Sequence, residues 1–113
     1  MDLSPQPFSV SVAEQDGTCV VRARGELDLS TAPEVEAAVL PLLRHGRRVV
    51  LDLRDLDFLD SSGIRMLVVA HDVAAKVPEA SFGLVRLAPE SHVWHALEVS
   101  GVDQVLDLVE LPA

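Results

Sequence analysis

The strongest structural signal in this chain is the apolar run Val49-Val50-Leu51-Asp52-Leu53, which leads through a short loop into Phe58-Leu59-Asp60-Ser61-Ser62-Gly63. A nearly continuous apolar run is typical of a strand covered on both faces, as in the middle of a parallel or mixed sheet. The Asp-Ser-Ser sequence that follows consists of residues that cap helix N-termini well. We therefore predict a buried strand, a loop and then a helix from about Ser61 to Lys76.

Upstream of this segment, the pattern indicates a β-hairpin and a first helix. Apolar residues alternate with serines over residues 8–12, Asp16-Gly17 is a hairpin turn signal, and residues 19–25 have the composition of the second strand. Thr31 and Glu34 have the spacing of a capping box at the start of the helix. We expect Pro41 to kink this helix or end it early, because proline lacks a backbone N–H. The predicted buried stripe of the helix is Val35, Ala38, Val39, Leu42 and Leu43.

Downstream, the chain continues as strand, helix and strand. Residues 81–85 are predicted as a strand, Pro89-Glu90 as the opening of a third helix that stops near Gly101, and residues 105–109 as a final short strand. The order of elements is therefore β-β-α-β-α-β-α-β. Strand–helix–strand crossovers dominate this order, which predicts a single α/β domain with helices packed on a mixed sheet.

Length and composition limit the classes of function. The chain has 113 residues, so we interpret residues 1–113 as one domain with a core at about 8–110. Its net charge is −9, and such an acidic surface repels phosphate backbones and anionic lipids, so no nucleic-acid partner is expected. The sequence has neither a signal peptide pattern nor a run of about 20 apolar residues, so we expect a cytoplasmic protein that does not insert into membranes. Cys19 is the only cysteine, and we expect it to be a packed thiol.

The predicted helix after Asp60 is apolar around most of its circumference. One plausible buried stripe is Gly63, Met66, Ala70, Val73, Ala74 and Val77. On the opposite face, Val68 or Val69 lies between Arg65 and Asp72, which indicates an exposed apolar patch of the kind that marks protein contact sites. Two plainer interpretations stay open: the valines lie under a loop, and the Asp-Ser-Ser sequence is no more than a helix cap.

At this point the sequence resembles a known family. The segment Phe58-Leu59-Asp60-Ser61-Ser62-Gly63 after the apolar run 49–53 is similar to the signature of STAS domains, and more narrowly to bacterial anti-sigma factor antagonists. Residues 25–28 with Ala32-Pro33 resemble the family's segment before its first helix, and the tail from Pro89 to Leu106 is similar too. One departure is that residues 74–78 lack the glycine that the family often has after the second helix, which concerns loop shape.

The resemblance implies a function by partner switching. The first serine of the motif is the family's phosphorylation site, which corresponds to Ser61. The implied partners are an anti-sigma factor with serine kinase activity, which the unphosphorylated protein binds so that the sigma factor is released, and a PP2C-type phosphatase that reverses the modification. The predicted partner-binding residues are Asp28, Asp60, Ser61, Ser62, Gly63, Arg65, Val68, Val69 and Asp72.

Elementary electrostatics agrees with such a switch. A phosphate adds a charge of about −1.5 to −2 at neutral pH. On Ser61 we expect the helix N-terminus and Arg65 to stabilise it, while Asp60 and Asp57 keep the surrounding surface acidic. A docked partner would then have to desolvate the added charge, so we predict local electrostatic and steric interference without a large internal rearrangement.

Other functions have weaker support. A serine hydrolase needs a histidine within hydrogen-bond reach of its nucleophile, whereas His71 lies ten residues along the same predicted helix from Ser61, about 15 Å away. His92 and His95 have suitable spacing for two metal ligands, but no further pair completes a site, so we predict no metal, no cofactor and no enzymatic activity. Nucleotide binding, a scaffold in a stressosome-type assembly and a component of a transporter stay open as alternatives.

Overall fold

The computed structural model describes residues 6–111, and this range contains six strands and three helices. In chain order they are β1 Ser9–Gln15, β2 Thr18–Leu27, α1 Ala32–Arg44, β3 Arg48–Asp52, β4 Leu56–Leu59, α2 Ser61–Lys76, β5 Ser81–Val85, α3 His92–Ser100 and β6 Asp107–Val109, with a single 3₁₀ turn at Val102–Gln104 before β6. The predicted α/β class and the order of the predicted elements are confirmed, and α2 has the predicted bounds.

The strands form one mixed sheet in the order β1-β2-β3-β5-β6. Only the hairpin β1–β2 is antiparallel among the pairings of residues 6–111, and its turn has Asp16 at φ 51° and Gly17 at φ 82°, the left-handed conformations that a tight hairpin turn requires. β2, β3, β5 and β6 run parallel to one another. β4, which the sequence did not predict, pairs in parallel with the end of β2, where Leu27 lies opposite Leu59.

The core lies between the sheet and the helices. Alternate residues of β2 point into it, among them Cys19, Val21 and Leu27, so the expectation of a packed Cys19 is confirmed. α1 and α2 pack against each other and on the sheet, while α3 contacts β4 and the 3₁₀ turn. The buried residues of α2 are Gly63, Met66, Leu67, Ala70 and Ala74. The buried stripe is therefore centred nearer Leu67 than predicted, and Val73 and Val77 are only half-buried.

The capping box predicted for α1 is wrong, and of the two alternatives predicted for Pro41 the early end is excluded while the kink stays a prediction. Thr31 does not cap the helix as part of a capping box, because its hydroxyl donates to the carbonyl oxygen of Glu26 at 2.8 Å and is thereby tied to the preceding loop. Pro41 does not end the helix early, since α1 continues to Arg44. Ala37, whose carbonyl loses its N–H partner at Pro41, is an exposed residue, which lowers the cost of the missing hydrogen bond.

The last third of the chain also differs in its boundaries. α3 begins at His92 rather than at Pro89-Glu90, because Ser91 is the N-cap and its hydroxyl oxygen accepts from the backbone N–H groups of Val93 and Trp94 at 3.1 and 3.2 Å. The final strand is shorter than predicted, because Val105 follows directly on the 3₁₀ turn and donates its N–H to the carbonyl of Val102.

Candidate functional site

The junction between β4 and α2 is held by hydrogen bonds on both sides of Asp60. The backbone N–H of Asp60 donates to the carbonyl oxygen of Leu27 at 3.1 Å, which ties the end of β4 to the end of β2. The Asp60 carboxylate is the N-cap of α2, and its Oδ1 accepts from the N–H groups of Ser62 at 2.8 Å and Gly63 at 3.3 Å. The start of α2 therefore has a fixed position relative to the sheet.

Ser61 is the first residue of α2 and is exposed, whereas Ser62 beside it is half-buried. A hydroxyl in this position belongs to a rigid helix terminus and is accessible to a large partner. The expectation of a serine displayed at this junction is thus met in its geometry. Whether Ser61 is modified stays a prediction.

The helix terminus is not a vacant anion site. The first N–H groups of a helix lack intrahelical partners and attract anions. In α2, however, the N–H groups of Ser62 and Gly63 already donate to the Asp60 carboxylate. These two amides are therefore not free for a phosphate on Ser61, while its stabilisation by the helix N-terminus as a whole stays a prediction.

Gly63 lies in the packing beneath α2 rather than on the surface. A Cβ atom at this position would overlap Cδ1 of Leu59 and lie 2.9 Å from Cγ of Leu27, two buried side chains. Only glycine lets the first turn of α2 approach the ends of β2 and β4 this closely. A direct contact of Gly63 with a partner stays a prediction, since the residue is buried.

Asp28 begins the loop that follows β2, next to the α2 junction. Its Oδ1 accepts from the N–H groups of Ser30 at 3.0 Å and Thr31 at 3.1 Å and from the hydroxyl of Ser30 at 2.8 Å. The hydrogen bond from the Ser30 hydroxyl, together with those from Thr31, lowers the pKa of Asp28 despite the opposing effect of desolvation. The hydrogen bond between Asp60 and Leu27 places this structured loop beside the start of α2.

The predicted valine patch on α2 is less exposed than expected. Arg65 and Asp72 are exposed, but Val68 and Val69 are both half-buried, and Val68 packs against the core. The exposed apolar residues in this part of the molecule come from other elements. Phe58 on β4 is 48% exposed and Val99 on α3 is 74% exposed, and sequence reasoning assigned neither to the site.

A groove of about 370 Å³ lies between the start of α2 and α3. Ser61 borders its α2 side, His92, His95 and Val99 border its α3 side, and the apolar residues Leu59 and Ile64 lie between them. The two histidines were assigned no role from the sequence. Their spacing of three residues does place them on one side of a helix, but nothing local indicates that this side faces Ser61.

An ion-pair cluster around the buried carboxylate of Asp52 holds the loop that leads into β4, with both arginines exposed. The carboxylate of Asp52, 5% exposed, accepts from Nε and Nη2 of Arg54 at 3.0 and 2.9 Å, and Nε of Arg22 lies 3.2 Å from its Oδ2. Burial raises the pKa of Asp52, but the hydrogen bonds and charge of Arg54 and the charge of Arg22 outweigh it and lower the pKa overall. The same carboxylate raises the pKa of Arg54.

Other kinds of site have little support in residues 6–111. No group of three or more His, Cys, Asp or Glu side chains there is arranged to hold a metal ion. His71 borders a different cavity from Ser61, next to Ala74 and Phe82. None of the helices in this range is both long enough and apolar enough to cross a membrane.

Comparison with known proteins adds independent information. A family model described as "Mlab, STAS domain" matches residues 10–110. The anti-sigma-F factor antagonist RsfB of Mycobacterium tuberculosis is 28% identical over 106 residues, which cover 93% of this chain and 84% of RsfB. The crystal structure of an anti-sigma factor antagonist from Mycobacterium paratuberculosis superposes with a TM-score of 0.78 at 27% identity, covering 93% of this chain and 87% of that one.

The fold is also shared with a more distant protein. The anti-sigma factor antagonist SpoIIAA in its unphosphorylated form has a TM-score of 0.70 at 20% identity, covering 94% of this chain and 89% of SpoIIAA. The phosphorylated form of SpoIIAA, a Bacillus cell fate determinant, has a TM-score of 0.66 at 19% identity, covering 94% and 92%. The proteins named in these comparisons are all described as anti-sigma factor antagonists.

Proposed function

The chain belongs to the STAS domain family, and we propose that within this family it acts as an anti-sigma factor antagonist controlled by phosphorylation of Ser61. In this proposal the unphosphorylated protein binds an anti-sigma factor that is also a serine kinase, in the cytoplasm, and the sigma factor is released. Phosphorylation of Ser61 by that kinase prevents binding. A phosphatase of the PP2C type restores the binding form.

The observation that carries the proposal is the display of Ser61. The serine is exposed at the first position of α2, and the Asp60 cap and the pairing of β4 with β2 hold that position rigidly. A kinase needs access to the hydroxyl, and a partner that reads its state needs the hydroxyl in a constant place. The relatives named as anti-sigma factor antagonists support the same function.

The surface around Ser61 is suited to a protein partner. Phe58, two residues before the cap, and Val99, across the groove, supply exposed apolar area. Aromatic residues surrounded by polar groups are frequent anchors of protein interfaces. Arg65 and Asp72 continue the surface along α2, and Asp28 and Ser30 continue it along the loop after β2. We propose this combined area as the partner-binding surface.

Phosphorylation would oppose docking through charge. A phosphate of charge about −1.5 to −2 on Ser61 would add to the exposed Asp57 and to the Asp60 cap next to it. A partner that covers this area must then desolvate a dianion in acidic surroundings. A loss of only 1.4 kcal/mol in binding free energy lowers the affinity tenfold, so no rearrangement of the fold is needed for a switch.

The test is the affinity of Ser61 variants for the anti-sigma factor of the same organism. We expect Ser61→Ala to bind the purified anti-sigma factor with a Kd close to that of the wild type, and Ser61→Asp to bind at least about tenfold more weakly in calorimetric titrations. Ser11→Asp is the matched control, because it adds the same charge at an exposed serine of β1. Equal affinities of Ser61→Ala and Ser61→Asp would refute the switch. Selective binding of a transporter subunit instead would favour the alternative use of the fold.

A further inference from the structure

Two histidines face the candidate phosphorylation site across the groove between α2 and α3. His92 and His95 are both exposed and border the groove opposite Ser61. They share this side of α3 with Val99, as residues three, four and seven apart do on a helix. Each imidazole carries at least one N–H donor in every protonation state and two when it is protonated. Donors and a potential positive charge thus line the same groove as Ser61.

Two of the other groups near Ser61 are already hydrogen-bonded, and a third lies outside the groove. The N–H groups of Ser62 and Gly63 donate to the Asp60 carboxylate. Arg65 is exposed and is not among the residues that border the groove. On the groove side of Ser61, the imidazoles of His92 and His95 supply the N–H donors of the opposite helix, in a chain whose net charge is −9.

We infer that His92 and His95 bind the phosphate on Ser61 and hold it across the mouth of the groove. This inference rests on the proposed phosphorylation of Ser61. A phosphate held in this way covers the apolar residues Leu59 and Ile64 as well as adding charge. Modification would then remove two features that a partner uses, the accessible groove and a neutral hydroxyl, without a change in the backbone.

Charged groups on the elements near the histidines also affect the ionisation of a phosphate on Ser61. Arg65 on α2 is basic, and the acidic groups are Asp57 on β4, the Asp60 cap, Glu90 before α3, Glu98 on α3 and Asp103 on the 3₁₀ turn. The carboxylates favour the monoanion of a nearby phosphate, whereas hydrogen bonds and positive charge from imidazoles favour its dianion. Because the carboxylates and Arg65 are the same in all histidine variants, a difference between variants reports the contribution of the imidazoles.

The experiment uses the full chain with phosphoserine incorporated at position 61 during translation, so that no kinase is required. The ³¹P resonance of the phosphoserine is followed from about pH 5 to pH 8, a range that includes its second ionisation near pH 6. The wild type is compared with His92→Gln/His95→Gln and with the control His45→Gln. His45 follows the end of α1, where its Nδ1 lies 2.7 Å from the carbonyl oxygen of Pro41.

We expect the midpoint of the ³¹P titration to be lower in the wild type than in the double variant by about half a pH unit, a threefold change in the proton equilibrium. His45→Gln is expected to titrate like the wild type, and the single variants to lie between. A generic alkaline phosphatase should remove the phosphate faster from the double variant, because its phosphate is no longer held. Equal midpoints in the wild type and the double variant would overturn the inference.

The single variants His92→Gln and His95→Gln keep the test decisive if the double variant does not fold, since equal midpoints in both singles and the wild type would also overturn it. The proposed function fails on a different result. If the protein with phosphoserine at position 61 binds its anti-sigma factor as tightly as the unmodified protein, the switch is refuted whatever the midpoints are. Loss of binding with unchanged midpoints refutes the histidine contacts alone.

Discussion

Replacement of Asp60 by alanine tests whether the cap of α2 holds the functional junction. The substitution removes the acceptor of two N–H groups, those of Ser62 at 2.8 Å and of Gly63 at 3.3 Å. Loss of an N-cap side chain costs about 1 kcal/mol, within a range of about 0.5–2 kcal/mol. Because Gly63 is buried, water replaces the lost acceptor poorly, so we expect the upper half of that range, about 1–2 kcal/mol.

The assay is urea unfolding of Asp60→Ala, followed by far-ultraviolet circular dichroism, with thermal melting as a second measurement. For a domain of about 100 residues, each kcal/mol corresponds to about 4–8 °C, so the Tm should fall by about 5–15 °C. Asp60→Asn is the matched control, because asparagine caps as well as aspartate and keeps an oxygen acceptor in place. It should remain within about 0.5 kcal/mol of the wild type.

Two results would refute this reasoning. If the free energy of unfolding of Asp60→Ala equals that of the wild type, the hydrogen bonds from the two N–H groups to the carboxylate do not stabilise the protein. If Asp60→Asn is destabilised as much as Asp60→Ala, the negative charge of Asp60 stabilises the protein and its hydrogen bonds as a cap do not. Ser91→Ala, which removes the equivalent cap of α3, gives the scale of a pure hydroxyl cap in the same chain.

The remaining predictions concern the supports of the junction and its surface. The pKa of Asp52 is lowered in the folded state, so its contribution to stability is present above about pH 4 and is lost as the pH falls through the folded-state pKa. The difference in free energy of unfolding between the wild type and Asp52→Asn should therefore shrink from pH 6 to pH 3. A difference that stays constant over this range contradicts the ion-pair assignment. Gly63→Val should destabilise by at least about 2 kcal/mol in urea unfolding, because its Cβ would overlap Leu59, and wild-type stability would show that α2 can shift freely. Phe58→Ala should weaken binding of the anti-sigma factor by about 1–2 kcal/mol in calorimetry while the fold remains intact, and unchanged affinity would place Phe58 outside the interface.

The elements that sequence reasoning located well are those with local signals. Asp60 and the helical periodicity after it gave both ends of α2, and Asp16-Gly17 gave the hairpin turn. β4 was missed, because a four-residue strand interrupted by Asp57 carries no alternation of its own. It exists through parallel pairing with β2, about 30 residues earlier in the chain, and such a partner is not visible in a short window.

For the site, too, features with local signals were predicted and features that depend on distant residues were not. The position of Ser61 at a strand–helix junction followed from residues within a few places of it, because helix capping and strand burial act over that distance. Side-chain neighbours of Ser61 from other elements did not follow. His92 and His95 lie about 30 residues later, and they border the groove because α3 packs on β4, next to the start of α2.

The amino-acid sequence alone was therefore sufficient to predict the α/β class, the order of the predicted elements and an exposed serine at a capped helix start. Each of these depends on hydrogen bonds and periodicity among residues that are close in the chain. Packing of distant elements settled which valines of α2 are covered and that two imidazoles line the same groove as Ser61. Those outcomes depend on contacts whose energy exists only after the sheet has brought β2, β4 and α3 together.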